Sequence, residues 1–401
     1  MIRKPFLGWF VVAGAFSVLF LHYGVQFSYG VFLPHMVSEL DWNRSQLSAP
    51  FSLYILFYTG LSFFAGRLTD RLGPKVVITL GALGLGVGWG LMSRIESIWE
   101  PYAYLGIAAF GGAVAFVPCS ATVIRWFVRR RGLALGVASS GISCAALIGP
   151  LIAALLLAKT HWREALLFMA IGASVLMLMA SRLMHRDPES THLRPDGDFA
   201  AKAQMPLDEK EWTLQSARTT FTFWVLMSSL FLSWLAIFVP FVHLPAYAVT
   251  RGLSDMDSHL LLALVGAGGL LGRAIGGGLT DLVGRLPGIV TAILLQAFAF
   301  VGFTISDSFL GLGLWAMAFG IGYSGVSVFF PALFGDLFGR SHAGAIVGFV
   351  FAFGGCSAAA GPYFAAVVFD KTGAYQLAFF ICAALNVFAL AVLAFLRAPD
   401  R

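Results

Sequence analysis

The sequence contains two copies of one short segment, GRLTDRLG at residues 66–73 and GGLTDLVG at residues 277–284. Each copy is followed by a second block, and the two second blocks also match each other, in the same order and at nearly the same offset. Two blocks that recur together predict a chain made of two pseudo-symmetric halves, the architecture of an alternating-access transporter. The matched residues are Gly66, Thr69, Asp70 and Gly73 with Gly277, Thr280, Asp281 and Gly284, and Gly132, Gly136, Cys144, Gly149 and Pro150 with Gly344, Gly348, Cys356, Gly361 and Pro362.

The composition around these segments is that of a membrane protein. Apolar residues make up 59% of the 401 residues, about 237, and charged residues only 11%. A soluble globular domain carries about 25% charged residues, whereas about 237 apolar residues suit twelve membrane spans of ~20 residues each. The composition therefore argues against a soluble enzyme, a nucleic-acid binder and a disordered scaffold.

Twelve apolar runs separated by charged or Pro/Gly-rich breaks predict an all-α membrane protein with twelve transmembrane helices in two six-helix bundles. One long polar segment, residues 185–218, divides six runs from six and predicts a cytoplasmic linker between bundles 1–184 and 219–401. The predicted spans are 8–33, 48–68, 76–93, 101–128, 132–158, 163–184, 219–249, 258–280, 287–306, 309–335, 343–369 and 374–397.

The distribution of basic residues predicts the orientation. With the N-terminus inside, 19 of the 26 Lys and Arg fall on the cytoplasmic side, six on the other, and the remaining one is Arg273. This bias follows the positive-inside rule. We therefore expect a multi-pass protein of the cell inner membrane, with both termini cytoplasmic and the first apolar run retained as a helix.

Two motifs carry a family resemblance. Residues 66–75, GRLTDRLGPK, resemble the signature loop of the major facilitator superfamily, and its partial echo after the eighth span is also typical. Residues 125–136, RWFVRRRGLALG, followed by Gly141, resemble the fifth-helix signature of the monocarboxylate porter branch. That branch includes lactate–proton symporters and oxalate–formate exchangers. The resemblance covers the whole chain and implies a bacterial carrier similar to monocarboxylate transporters.

Arg273 is the charge that demands an explanation. All 20 Asp and Glu lie in loops or at span ends, while Arg273 precedes Asp281 by eight residues, about 12 Å of helix. An arginine near the midplane costs at least ~2.5 kcal/mol. It either snorkels or pairs with backbone carbonyls, or it binds a substrate carboxylate through two parallel hydrogen bonds. The resemblance favours binding, because the monocarboxylate branch has a substrate-binding arginine in its eighth helix and Arg273 matches its place.

Proton coupling has weaker candidates. Proton-coupled members of the resembled branch often carry an aspartate one turn before the arginine, where this chain has Gly269. Two histidines in spans, His22 and His243, could take up a proton as an anion binds, and His243 lies between Pro240 and Pro245, which loosen a helix. Each histidine could equally be a hydrogen-bonded structural residue. Symport, with the proton on the substrate or on His243, and exchange without protons both remain open.

Other residues are candidates for the pocket wall and for gating. Phe27, Phe116 and Tyr323 lie on the first, fourth and tenth helices, which line the cavity in the resembled superfamily, although helix packing explains most aromatic residues of such a chain. Gly268, Gly272 and Gly276 recur every four residues and predict a smooth face for close helix packing. At the cytoplasmic ends, Asp70 could cap a neighbouring helix or pair with Arg129 to Arg131. The gating candidates are Asp70, Arg71, Asp281, Arg129 and Arg130.

These observations predict a secondary transporter of small organic anions that works by proton-coupled monocarboxylate symport, on substrates such as lactate or pyruvate. Arg273, His243, Tyr323, Phe116, Phe27 and Gly269 are the predicted substrate-binding residues. The alternatives are an anion exchanger of the oxalate–formate type, a sugar or drug carrier, and a membrane sensor that binds without transport. We expect a monomer in the lipid bilayer, whose partners are the anion and protons and which has no enzymatic activity, cofactor, metal site or nucleic-acid partner.

Overall fold

The computed structural model describes residues 6–42, 44–191, 193–197 and 212–397. Within these residues, twelve helical segments are long and apolar enough to cross a membrane. Each overlaps one predicted run and differs from it by a few residues at the ends, so the predicted twelve-helix fold is confirmed. The helices are α1 (Leu7–Leu40), α2 (Arg44–Leu72), α3 (Pro74–Met92), α4 (Glu100–Ala113), α5 (Phe116–Trp126), α6 (Arg131–Leu157), α7 (Trp162–Ser181), α8 (Leu214–Ala217), α9 (Phe221–Ile237), α10 (Val239–Thr250), α11 (Asp255–Val283), α12 (Arg285–Ile305), α13 (Phe309–Phe338), α14 (Ala343–Thr372) and α15 (Gln376–Leu393).

Two of the spans are each made of two helices, α4 with α5 and α9 with α10. A proline follows each break, Pro118 in α5 and Pro240 in α10. Proline has no N–H to donate and its ring clashes with the carbonyl four residues earlier, which interrupts a helix near that point. The predicted loosening of the seventh span is confirmed just before Pro240, whereas α10 continues through Pro245.

The chain divides into two compact units. The first takes its described residues from Met1–Arg129, Val137–Glu211 and Gly339–Ala352, and the second from Arg130–Gly136, Trp212–Phe338 and Phe353–Arg401. Each unit therefore includes the beginning of a helix from the other half of the sequence, α14 in the first unit and α6 in the second. The contacts of the two repeated aspartates, Asp70 and Asp281, explain why each of these helix starts belongs to the other unit.

In the first unit, the Asp70 carboxylate accepts hydrogen bonds from the backbone N–H groups of Gly344 (3.1 Å) and Ala345 (2.8 Å), at the start of α14. The first N–H groups of a helix have no partner within the helix and carry partial positive charge, so a carboxylate is favoured there. Asp70 thus caps a helix that is 274 residues away in the sequence.

In the second unit, the Asp281 carboxylate accepts from the backbone N–H groups of Gly132 (2.9 Å) and Leu133 (2.7 Å), at the start of α6. Gly132 and Gly344 are a matched pair of the sequence repeat. The two repeated blocks therefore make the same contact in both units, and each unit is stabilised by one capped helix.

Candidate functional site

The candidate substrate site is built around Arg273 of the second unit. Its span, Leu260–Val283, places it thirteen residues from one end and ten from the other, which at ~1.5 Å per residue puts it near the middle of the span. The side chain is only 2% exposed. A guanidinium buried near the middle of a membrane span is costly, which makes Arg273 a candidate functional residue.

Two side chains of α13 contact the guanidinium. Its central carbon lies 5.3 Å from the centre of the Tyr323 ring, a cation–π contact on one face of the group. Nη2 donates a long hydrogen bond of 3.5 Å to the Ser327 hydroxyl, which itself donates to the Ser324 carbonyl at 2.7 Å. Tyr323 and Ser327 are four residues apart, on one face of α13. The structure therefore brings the predicted Tyr323 to Arg273 and adds Ser327.

Packing from a third helix fixes the Tyr323 ring. Phe241 of α10 meets it edge to face, with ring centres 5.4 Å apart, and Phe319 stacks almost parallel to it at 6.4 Å. Such edge-to-face and offset arrangements are the preferred geometries of aromatic pairs. Three helices, α10, α11 and α13, thus determine the position of the arginine and of the ring beneath it.

The glycines of α11 allow this close approach. A Cβ added to Gly268 would overlap the backbone of Met317, and one added to Gly272 would overlap the Ser324 hydroxyl and lie 2.6 Å from the Ile321 carbonyl oxygen. The predicted smooth helix face is confirmed, and it packs against α13. Gly269 is buried and also faces α13. Its amide nitrogen lies 2.9 Å from the position that a Cβ on Gly320 would occupy.

His243 lies in the same unit with a different set of neighbours. It is 8% exposed, its Nε2 is 2.9 Å from the Pro362 carbonyl oxygen of α14, and its ring centre is 5.4 Å from that of Tyr375. A carbonyl oxygen can only accept, so this hydrogen bond requires the proton on Nε2 and leaves the lone pair on Nδ1. His243 can therefore accept a proton at Nδ1 without losing the bond to Pro362.

The other predicted site residues belong to the first unit. His22 is fully buried, with ring centres 4.8 Å from Tyr23 and 6.2 Å from Tyr58. Phe116 is 5% exposed and stacks on Phe351 of α14 at 4.9 Å. Phe27 is 38% exposed and stacks on Tyr23 at 5.6 Å. Each of these residues thus contacts aromatic neighbours of its own unit.

A cluster of charged residues surrounds each repeated aspartate, and of the five gating candidates only Asp70 and Asp281 belong to these clusters within the described part of the chain. In the first unit Asp70 pairs with Arg125 at 2.5 Å, and Arg125 also donates to the Ser341 carbonyl at 3.0 Å. Of the two contacts expected for Asp70, the helix cap is confirmed by its hydrogen bonds from Gly344 and Ala345, whereas its ion pair forms with Arg125 and not with Arg129 to Arg131. Arg125 lies on the last turn of α5 and is 4% exposed, whereas Arg129 follows the end of that helix and donates its backbone N–H to Asp196 at 2.9 Å.

Three further charged residues join Asp281 in the second unit. Arg285, one helical turn later, pairs with Asp281 and with Asp336 at 3.2 Å, and Arg131 also pairs with Asp336. The side chains of Arg71 and Arg130 are exposed, and Arg71 lines a groove on the face of α2 rather than joining the Asp70 cluster. The sequence singled out Asp281 but missed Arg285, which pairs with it, and Asp336, which pairs with Arg285 and Arg131.

Comparison with known proteins decides the family. The sequence model of the Major Facilitator Superfamily matches residues 15–329 and 257–401. The chain belongs to this superfamily. It is therefore a multi-pass membrane transporter with a small-molecule substrate, and its relatives are transporters rather than enzymes.

Relatives of this superfamily transporter include proteins named for monocarboxylates. Monocarboxylate transporter 11 of Mus musculus is 28% identical over 390 residues, which cover 94% of this chain and 84% of the relative. The Homo sapiens protein of the same name is 28% identical over 393 residues, 94% of this chain and 80% of the relative. MFS-type transporter pytF of Aspergillus terreus is 28% identical over 70% of this chain and 91% of its own.

Solved structures share the fold of the superfamily transporter at lower sequence identity. The human organic anion transporter MFSD10 (TETRAN) superposes with a TM-score of 0.75 at 17% identity, over 98% of this chain and 100% of its own. The proton:xylose symporter XylE superposes with a TM-score of 0.77 at 14% identity, over 97% and 96%. These likenesses show a common twelve-helix fold.

Proposed function

We propose that this transporter carries a small monocarboxylate and that Arg273 binds the carboxylate while the two bundles alternate access to it. The observation that carries the proposal is the burial of the Arg273 guanidinium near the middle of its membrane span, over the Tyr323 ring and beside Ser327. The names of the two monocarboxylate transporters at 28% identity support the substrate class.

The geometry suits a carboxylate because the guanidinium has a face and an edge. Tyr323 occupies the face, and a cation–π contact does not use the N–H donors. A carboxylate binds along an edge through two parallel N–H···O bonds, which fix its orientation as well as its charge. Both interactions can therefore exist at once, with the aromatic ring holding the guanidinium for the anion.

We further propose that the transport is proton symport, with His243 as the first proton acceptor and His22 as the second candidate. The lone pair on Nδ1 of His243, left by the hydrogen bond to Pro362, supports this role. Gly269 stands where members of the resembled branch often carry an aspartate, so a histidine would take over the proton. We place the carrier in a bacterial inner membrane, as a monomer with cytoplasmic termini.

The test is uptake of labelled L-lactate into proteoliposomes with and without an inward proton gradient. The variants are Arg273→Gln and Arg273→Lys, with Arg94→Gln, an exposed arginine of the first unit, as the matched control. Truncating one partner of a buried charge pair costs ~2–5 kcal/mol, so Arg273→Gln should lower the uptake at subsaturating lactate by roughly 30-fold or more. Arg273→Lys keeps the positive charge but loses the two parallel N–H donors of the guanidinium. Its lactate uptake should therefore lie between that of the wild type and that of Arg273→Gln.

The outcomes separate the mechanisms. Uptake that the gradient stimulates, and that disappears in Arg273→Gln but not in Arg94→Gln, supports proton symport at Arg273. Uptake that needs an anion loaded on the other side and ignores the gradient replaces symport by exchange. Equal lactate uptake in Arg273→Gln and in the wild type contradicts the assigned carboxylate site.

A further inference from the structure

A shallow groove of about 280 Å³ lies on the first unit, along α2 and beside α4. Five of its lining residues are apolar, among them Leu61, Phe64 and Phe110, and the other two are Arg67 and Arg71. Phe64 is 63% and Phe110 38% exposed, as expected of side chains that face acyl chains in a membrane-spanning helix. The groove thus joins an apolar surface to two positive charges.

The length of the groove corresponds to one leaflet. Leu61 lies in the middle of the span Ala49–Leu72, and Arg71 is one residue before its end. Their separation of ten residues corresponds to about 15 Å of helix, half of the ~30 Å hydrocarbon thickness. An acyl chain that follows the groove would therefore run from the middle of the bilayer to its interface, where the two arginines lie.

The two arginines are placed to share one anion. They are four residues apart, so both lie on one face of α2, where like charges repel. Arg67 lies over the Phe63 ring at 5.3 Å. Among the described residues, neither arginine forms an ion pair with an Asp or Glu. The nearest carboxylate in sequence, Asp70, is engaged with Arg125 and with the start of α14.

We propose that this groove binds one anionic phospholipid, with an acyl chain along Leu61, Phe64 and Phe110 and the phosphate on Arg67 and Arg71. A phosphate accepts several charge-assisted hydrogen bonds from guanidinium groups and removes their mutual repulsion. Basic pockets between membrane-spanning helices are recognised sites for anionic headgroups. A soluble phosphate would use only the two arginines and leave the apolar length empty, whereas a phospholipid fills both. This proposal is independent of the transported substrate.

Native mass spectrometry of the delipidated full chain tests it, with phosphatidylglycerol and phosphatidylcholine of identical acyl chains as probes. We expect one phosphatidylglycerol to bind at least tenfold more tightly than phosphatidylcholine. Arg67→Gln/Arg71→Gln should abolish this preference. The control Arg94→Gln/Arg182→Gln removes two exposed arginines of the same unit outside the groove and should keep it. Glycerol 3-phosphate, the headgroup without chains, should not bind measurably.

Two single variants keep the test decisive if the double variant does not fold. Arg71→Gln alone should lower the phosphatidylglycerol preference severalfold, and Leu61→Gln should weaken binding of the lipid although both arginines remain. Equal affinity for the two lipids in the wild type, or a preference that survives Arg67→Gln/Arg71→Gln, overturns the proposal. An equal loss in the control, or tight binding of glycerol 3-phosphate, also overturns it.

Discussion

Gly272 offers a test of the helix contact that positions Arg273. In Gly272→Ala the new Cβ would overlap the Ser324 hydroxyl and lie 2.6 Å from the Ile321 carbonyl oxygen and 2.9 Å from its Cα. Ordinary contacts between such atoms are ~3.5–4.0 Å. Two of the three atoms belong to the backbone of α13, so α11 and α13 would have to separate by about 1 Å.

The expected cost follows from this overlap. Overpacking of this kind destabilises a protein by ~1–3 kcal/mol, and the better helix propensity of alanine returns ~0.5–1 kcal/mol. We expect Gly272→Ala to lose about 1–2 kcal/mol of the free energy of unfolding. Gly266 on the same helix is the matched control, because a Cβ there meets no atom within 4 Å. Gly266→Ala should gain ~0.5–1 kcal/mol, or change nothing.

Chemical unfolding of the purified protein in detergent micelles, followed by tryptophan fluorescence, measures the two variants against the wild type. The midpoint of Gly272→Ala should fall below that of the wild type, and the midpoint of Gly266→Ala should equal or exceed it. If the midpoints of both variants shift in the same direction by the same amount, the close packing of α11 on α13 does not restrict the size of the side chain at residue 272.

Two further predictions concern residues at the ends of the spans. Asp281→Asn removes the charge that caps α6 and pairs with Arg285, so the free energy of unfolding should fall by about 1–2 kcal/mol, and Asp281→Glu, which keeps the charge, should lose less. An unchanged midpoint for Asp281→Asn in the same unfolding assay would contradict the cap. Partial burial raises the pKa of Glu39, but hydrogen bonds from Trp162 and Arg163 and nearby positive charge together lower it by more than burial raises it. The pKa of Glu39 therefore lies below its ordinary value of 4.5. A carboxylate whose pKa is lower in the folded than in the unfolded state stabilises the fold at pH values above its unfolded pKa, and this stabilisation is lost as the pH falls through the folded pKa. Glu39→Gln should therefore have a lower free energy of unfolding than the wild type at pH 7, and the difference should shrink in acid. A difference that grows in acid would refute this sign.

Hydropathy was sufficient to find the twelve spans, because a helix in lipid must be apolar over its whole length. The repeat was equally informative about capping, since the block around Asp70 meets a copy of the second block, and so does the block around Asp281. Arg273 was visible because a charge inside an apolar run is rare. These signals are local or periodic, and they are readable from one chain.

Partners across long sequence distances were not predictable in this way. Asp70 pairs with Arg125 and not with the basic run at residues 129–131, because Arg125 lies on a buried face of α5. A single sequence does not reveal which way a helix is rotated about its axis. The contact of His243 with the Pro362 carbonyl joins residues 119 apart. Ser327 could have been proposed as a neighbour of Arg273, since it lies one helical turn after Tyr323.

The most direct measurement of the central claim is binding of L-lactate and of lactamide, its uncharged amide, to the wild type and to Arg273→Gln by isothermal titration calorimetry. The two ligands differ at the group that Arg273 is proposed to hold. The account predicts that the wild type prefers lactate by roughly 30-fold or more and that Arg273→Gln loses this preference. A wild-type preference for lactate that persists in Arg273→Gln would contradict the carboxylate site at Arg273.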